Sequence, residues 1–442
     1  MSALMHATIS TNHLKHVASP YGLATASYLF FLFGWSVSPR WYSSHMSETD
    51  LMFMDLATVV FVSLCVLSFV LGVAYVDFVL PKKEIVLQEI KAQISSFTFL
   101  SIPIAIALAF CIASCVLLVK EYPLLILAIV SQTGNVIKDS DIGLHSTLGL
   151  SNTWLMGILW WAIWRSREFA SQRRSTYLVK FLFIAAFTAC MVSATLKASR
   201  GELMPLFLGT SVICVLGRAA QGTLTRRQIT IYGMALSCGL TVLFVLFSFV
   251  RGHQADAFGG DLIGYTIASY NRLSALIHHK FRYPYAGRGF YLCSFLQSNN
   301  MLNAIIPFRK FFGWPDFMSF WQSEFNAVTN SGLNGNLIWS GAFGYIFSEL
   351  GWFSPLLVFI YGLLYGYVWR LLKRDSTFGI VLYPWFAFCI LFWFGTNYLF
   401  DNKCFVLFLD AFFLFLYERV VRKRHVSAKT RILPLSPGQQ ST

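Results

Sequence analysis

The chain has 442 residues, of which 56% are apolar and only 12% charged, about half the charged share of soluble globular domains. So little charge cannot cover so much apolar surface in water, which excludes a wholly soluble protein. Lipid accepts such a chain because helices satisfy their own backbone while apolar side chains face outward. The formal net charge is +14, yet the basic residues sit in short clusters between apolar runs, a pattern of membrane topology rather than of nucleic-acid binding.

Residues 1–19 contain no long apolar core before a small-residue cleavage site, so the first apolar run reads as a retained helix rather than a signal peptide. Candidate spans follow at 21–38, 55–80, 97–119, 148–164, 177–196, 203–217, 229–250, 349–369, 378–399 and 405–420. Most approach the ~20 residues that cross ~30 Å of hydrocarbon. The connectors between them alternate in charge. Lys82, Lys83 and Lys91 form one basic group, and Arg165, Arg167, Arg173 and Arg174 a second. Arg218, Arg226 and Arg227 form a third, Arg370, Lys373 and Arg374 a fourth, and the tail from Arg419 to Arg431 a fifth. About ten spans place every group on one side, which the positive-inside rule assigns to the cytoplasm together with both termini. The apolar segment 122–137 would break that pattern as a span, so it reads as interfacial or re-entrant.

The expected fold is therefore an all-α polytopic bundle. Residues 1–250 form an N-terminal set of about seven spans, 251–348 a large outer loop, 349–420 the C-terminal spans and 421–442 a basic cytoplasmic tail. Eight of the nine cysteines fall inside apolar runs and none forms a CxxC pair, so neither a disulfide framework nor a zinc site is indicated.

A loop as long as 251–348 exceeds what a hairpin needs and points to function. Within it, 261–280 reads as an amphipathic helix. Leu262, Ile263, Ile267, Tyr270, Leu273 and Ile277 recur at helical spacing, while Asn271, Arg272 and His278 fall elsewhere. Such a helix is expected to lie on the bilayer, apolar face down. Residues 308–321 are rich in Phe and Trp, which favour the same interface.

Basic residues on the outer side run against the topology bias, and arginine is suited to anionic ligands because its fork binds phosphate through several donors. The competing reading for each is a side chain snorkelling to headgroups. Arg251, Arg272 and Arg288 lie in the loop, and Arg200 sits beside Gly201 in the tight outer turn that also carries Lys197.

Three stretches together resemble the bacterial oligosaccharide repeat-unit polymerases, the Wzy-type O-antigen polymerases. They are Ala198-Ser-Arg-Gly-Glu202 before an apolar helix, Gly264-Tyr-Thr-Ile-Ala-Ser-Tyr270 early in the large loop, and a third, composite stretch. That one runs from Asn334-Gly-Asn336 through Phe343 to Trp352 and into the glycine-rich Tyr361–Arg370 helix. The resemblance covers roughly residues 180–370. It departs from the family in lacking an arginine in the earlier outer loop, where only Lys120 and Lys138 are near.

The resemblance implies a glycosyltransferase that needs no cofactor and no metal. Its donor and acceptor are glycans on undecaprenyl diphosphate in the bilayer, and a Wzz-type chain-length regulator is an expected partner. A hydroxyl of one lipid-linked unit attacks the anomeric carbon of the growing chain, and the diphosphate leaves. Arg200 and Arg272 are the expected catalytic cations, since positioned donors stabilise the charge that develops on the leaving group. His279, its neighbour His278 and Glu349 are the candidate bases. Arg251, Arg288, Tyr265, Tyr270, Asn334 and Asn336 are the expected substrate-binding set. Tyr283, Tyr285 and Trp314 are further rings able to stack on sugars or to anchor the interface.

Three rivals share parts of this pattern. An O-antigen ligase has the same Ser-Arg-Gly turn. A GT-C enzyme would use Glu48-Thr-Asp50 in the first outer loop, whereas Asp139-Ser-Asp141 has the DxD form but lies where nucleotide sugars are absent. A flippase would instead carry charge or broken helices at mid-membrane.

Overall fold

The computed structural model describes residues 18–46, 48, 54–79, 98–124, 150–167, 176–197, 199–220, 258–293, 296, 300–315, 317–335 and 337–432, with scattered positions at 126–131 and 225–245. Among these residues the chain is all-helical. The first half contributes α1 (Pro20–Trp35), α2 (Pro39–Met46), α3 (Leu56–Phe78), α4 (Thr98–Glu121), α5 (Ser151–Ser166), α6 (Thr176–Leu196) and α7 (Arg200–Ala220). The large loop builds α8 (Phe258–Ile277), α9 (Asn300–Ile305), α10 (Phe308–Phe312) and α11 (Phe317–Asn330). The chain closes with α12 (Gly341–Leu350), α13 (Ser354–Lys373), α14 (Thr377–Leu391) and α15 (Asn402–Ile432).

Five helices are long and apolar enough to cross a membrane: α3, α4, α6, α7 and the run Gly341–Lys373, which a 3₁₀ turn at Gly351–Phe353 divides into α12 and α13. α1, α5 and α14 are shorter, at 16, 16 and 15 residues. The expected span at 349–369 thus begins later than the hydropathy suggested, at Ser354, because Gly351 adopts a left-handed φ of 55° and ends α12. The segments at 122–137 and 229–250 lie largely outside the described residues.

Local sequence explains the helix starts. Ser19 caps α1 through Oγ to the Gly22 amide, with Pro20 in the first turn. Asp55 caps α3 through Oδ1 to the Thr58 amide. The tightest helix pair is α3 with α13. A Cβ at Gly362 would lie 2.2 Å from the Phe69 carbonyl, and one at Gly72 would lie 2.2 Å from that of Phe359. Gly362 and Gly366 therefore form a small-xxx-small contact face, which brings backbones together where lipid supplies no hydrophobic drive.

The described residues of four basic groups gather at one end. Arg165, at the end of α5, donates from Nε and Nη2 to Glu418 of α15 at 2.8 and 3.1 Å, and from Nη1 to Asp375 at 2.6 Å. Trp161 and Trp164 donate to the same two carboxylates, Arg167 stacks 3.5 Å over Trp164, and its Nη1 reaches the Gly217 carbonyl. Arg218, the Arg374–Asp375 turn and Arg419 thus share one end, as the charge pattern requires.

At the opposite end the loop helices form a layer. Here α8 departs from expectation. Its Ile267, Tyr270, Leu273 and Ile277 are buried as the periodicity predicts, but Asn271 and Arg272 are buried too. From 267 to 277 the helix is enclosed on every side, packed against α1, α2, α3 and α12, so it is an interior helix of the layer rather than one lying at a surface. The apolar surface falls instead on α9 and α10, where Ile305, Ile306, Phe311 and Phe312 are exposed.

Candidate functional site

Arg272 spends its whole guanidinium inside the protein. Nη2 meets Glu48 Oε1 at 2.5 Å and the Asn334 carbonyl at 3.0 Å. Nη1 donates to Tyr42 Oη at 3.3 Å and the Ala268 carbonyl at 3.1 Å, and Nε donates to the Leu337 carbonyl. These contacts use every donor that arginine has. Glu48 is filled in turn, by Tyr42 Oη on Oε2 at 2.9 Å and by the Asn334 amide on Oε1 at 2.9 Å. Arg272 in this arrangement has nothing left to offer a diphosphate, so the expected catalytic cation is a strut joining α8, α2 and the 334–337 segment. Asn334 contributes its backbone to the strut, and its side chain reaches the Met46 carbonyl at 3.5 Å. Glu48, the acid of the rival Glu48-Thr-Asp50 motif, belongs to the same lock.

Glu349 is similarly engaged. Oε2 accepts from the Gly287 and Gly289 amides at 2.7 and 2.9 Å, and Oε1 from the Tyr291 amide at 2.8 Å. Gly287 and Gly289 both have positive φ, which turns successive N–H groups toward one point and creates an anion nest that Glu349 fills. Both Glu349 oxygens are therefore taken up by backbone N–H groups. Tyr270, expected to stack on sugar, is buried with its ring edge on Phe31 at 4.8 Å.

Of the remaining candidates, His278 meets Asp55 at 3.1 Å, while His279 is exposed in a left-handed conformation just beyond α8. Arg288 is exposed, and its carbonyl accepts from Trp314. Arg251 and Asn336 lie outside the described residues. Tyr265 lies within α8 and Arg200 opens α7, with neither side chain described.

Around the start of α7 stands a buried polar cluster that reaches across four helices. Glu202 pairs with Lys403 of α15 at 3.1 Å and lies 4.0 Å from Lys197 at the end of α6, and Asn152 of α5 donates to it at 3.1 Å. Lys403 also donates to the Gly201 carbonyl. Two ammonium groups share one carboxylate here, and Asn152 Oδ1 and Ser151 Oγ have no hydrogen-bond partner. The cluster adjoins the loop layer, because Tyr398 stands next to Gly201 and packs on Phe392, which also meets Trp339. Lys403 was not legible as a site residue, since in sequence it is one lysine between two apolar runs.

A second buried acid, Glu324, sits on the inner face of α11. Phe320, Glu324 and Val328 are spaced four apart, so they share one helix face. Tyr283, Tyr291 and Tyr345 surround the carboxyl. Tyr283 stacks on Tyr345 at 5.2 Å, Tyr291 lies 5.5 Å from Tyr345, and Phe320 closes over Phe290 at 4.4 Å. Burial pushes the Glu324 carboxyl up to about 8, against a partial opposing effect of the Tyr291 hydroxyl. Burial also raises the Tyr291 and Tyr283 phenols far above their usual range. Glu324 Oε1, Tyr291 Oη and Ser340 Oγ are buried without a well-formed hydrogen bond. The signal was present in the sequence: Glu324 interrupts the apolar stripe of an otherwise amphipathic helix.

No protein-family model, curated protein or solved structure matches this chain.

Proposed function

We propose that this chain is a membrane glycosyltransferase of the Wzy type, with about ten spans, which joins repeat units carried on undecaprenyl diphosphate at the periplasmic face of the bacterial inner membrane. The observation that carries the reading is the cluster at the start of α7. There the Ser199-Arg-Gly-Glu202 turn meets Lys197 and Lys403, which gather around Glu202 with Asp401 also facing Lys403, at the end of the molecule that bears the loop layer. A cluster of buried cations suits a leaving diphosphate, whose charge grows in the transition state. Arg200 adds a third cation to that turn. The test is Arg200→Ala in a normally expressed protein. Long glycan ladders should vanish from gels while single repeats persist, and surviving long chains would overturn the assignment of Arg200.

One observation favours a second reading, transport of lipid-linked oligosaccharide. Asp410, in the eighth position after Asn402 in α15, is buried against Gly157 of α5, and its Oδ2 has no partner. An acid at that depth is the feature that transporters share. Movement of labelled lipid-linked oligosaccharide across vesicles without chain growth, lost in Asp410→Asn, would establish this reading in place of the first.

A further inference from the structure

Transfer to a sugar hydroxyl requires a group that takes its proton; of the expected bases, His278 meets Asp55 and His279 is exposed beyond α8, outside the layer's interior. Both Glu349 oxygens are occupied by backbone amides, and both Glu48 oxygens by Arg272, Tyr42 and the Asn334 amide. Among the described loop-layer carboxylates, Glu324 is approached by the Tyr291 hydroxyl without a well-formed hydrogen bond. Its immediate neighbours are hydroxyls and rings rather than cations: Tyr291, Tyr283 and Tyr345 face it, with Ser340 beside Tyr283.

Three orphan atoms of this kind have a common complement. Tyr291 Oη and Ser340 Oγ each donate once and accept, and Glu324 Oε1 accepts. A sugar hydroxyl beside Glu324 and Tyr291 donates to the carboxyl oxygen and accepts from the phenol. Aromatic walls beside a carboxyl and hydroxyls are also the surroundings that a sugar ring uses, its C–H faces on rings and its O–H groups on polar atoms.

Resting on the polymerase reading, we propose that Glu324 is the proton acceptor for the attacking sugar hydroxyl, in a site completed by Tyr291 and Ser340. In the step, the acceptor oxygen forms a bond to the anomeric carbon. The bond from that carbon to the diphosphate oxygen breaks, and the diphosphate leaves with the electron pair. The hydroxyl proton passes to Glu324 Oε1. The site is closed in the structure, and α11 covers it through Phe320, Glu324 and Val328. A carboxyl that titrates near 8 is well matched to the task, since a base works best when its pKa lies close to the working pH.

The test uses the purified full-length protein in nanodiscs with the lipid-linked repeat unit of its own host, reading chain growth against pH. The wild type should elongate chains at a rate that climbs with pH and levels off near 8. Glu324→Gln should lose about 100-fold or more in rate and show a flat profile, while it stays folded and its KM for the lipid-linked unit stays close to wild type. Glu324→Asp should recover part of the rate together with a shifted profile, which a purely structural role would not produce. Tyr291→Phe and Ser340→Ala should each lose less. If the wild type elongates and Glu324→Gln, folded, elongates equally well, Glu324 is not the base and the polymerase reading stands. If Glu324→Gln does not fold, a Glu324→Asp variant with full rate and an unshifted profile overturns the proposal. If the wild type makes no chains from lipid-linked units at any pH, the polymerase reading itself falls, and this inference with it.

Discussion

Two arginines are buried at opposite ends of the molecule, and the difference between them separates a rim fastening from a core lock. Arg165 at the basic end divides itself between Glu418, which is 7% exposed, and Asp375, which is 52% exposed. Arg272 in the loop layer, fully buried, faces a single carboxylate, Glu48, which is 1% exposed. Water can solvate Asp375 if its partner leaves. It cannot reach Glu48. The two networks use the same chemistry, yet the loop layer has staked its assembly on one pair, whereas the basic end shares the load among tryptophans, a second arginine and a half-exposed turn.

The largest effect that would break this comparison is Arg272→Ala. Removing one partner strands a buried charge, which costs about 3–5 kcal/mol. Four further acceptors, on Tyr42, Ala268, Asn334 and Leu337, also lose a donor. Thermal or denaturant melting in nanodiscs should show that loss. Replacing both partners with apolar residues, Arg272→Met with Glu48→Leu, should cost less than the single change. If Arg272→Ala costs under about 1 kcal/mol, the rim-and-core distinction fails.

Glu324 sharpens the comparison from the other side, because it is a buried acid with no cation at all. Its folded pKa of about 8 lies above the ordinary 4.5. Below about pH 4.5 both folded and unfolded chains hold the proton and the contribution to stability is complete. As pH rises toward 8 the unfolded chain releases the proton first, so stability falls, by at most about 1.4 kcal/mol per pH unit. Above about 8 the loss is complete. Glu324→Gln should remove this slope from melting curves taken across that window. An unchanged slope would mean that Glu324 reaches water and is not the buried acid described here.

Much of the fold was legible because lipid reduces the problem to length and charge. Apolar runs located the long helices, and the basic clusters predicted which ends meet, as the Arg165, Gly217 and Asp375 contacts bear out. The periodicity of 261–280 gave α8 its helix but not its surroundings. Period alone says which residues share a face, and says nothing of whether the other face also finds a partner, as Arg272 does in Glu48 some 224 positions away. The glycine-rich Tyr361–Arg370 stretch, one part of the family resemblance, is accounted for locally by the α3–α13 contact at Gly362 and Gly366. Site residues were the least legible. Arginines and acids were chosen by type, and type does not reveal that Arg272 and Glu349 are already satisfied, nor that Glu324 is not.

The smallest effect concerns Asp375, and it is the most discriminating of the set because two causes can be separated at one position. Asp375 follows α13 with a left-handed φ of 59°, a conformation that Asn and Asp tolerate and Ala does not. Asp375→Asn keeps that backbone and keeps an oxygen for the Trp164 indole, losing the charge facing Arg165 and Arg167 and the Oδ2 acceptor of Arg165. A half-exposed pair is worth about 0–1 kcal/mol, and Arg165 retains Glu418. Asp375→Ala adds the strain of a left-handed alanine, about 1–2 kcal/mol more. Melting of the two variants should therefore differ by more than Asp375→Asn differs from wild type. If Asp375→Asn proves as damaging as Arg272→Ala, the basic end is a core lock after all, and exposure is no guide to which of the two arginines carries its end of the bundle.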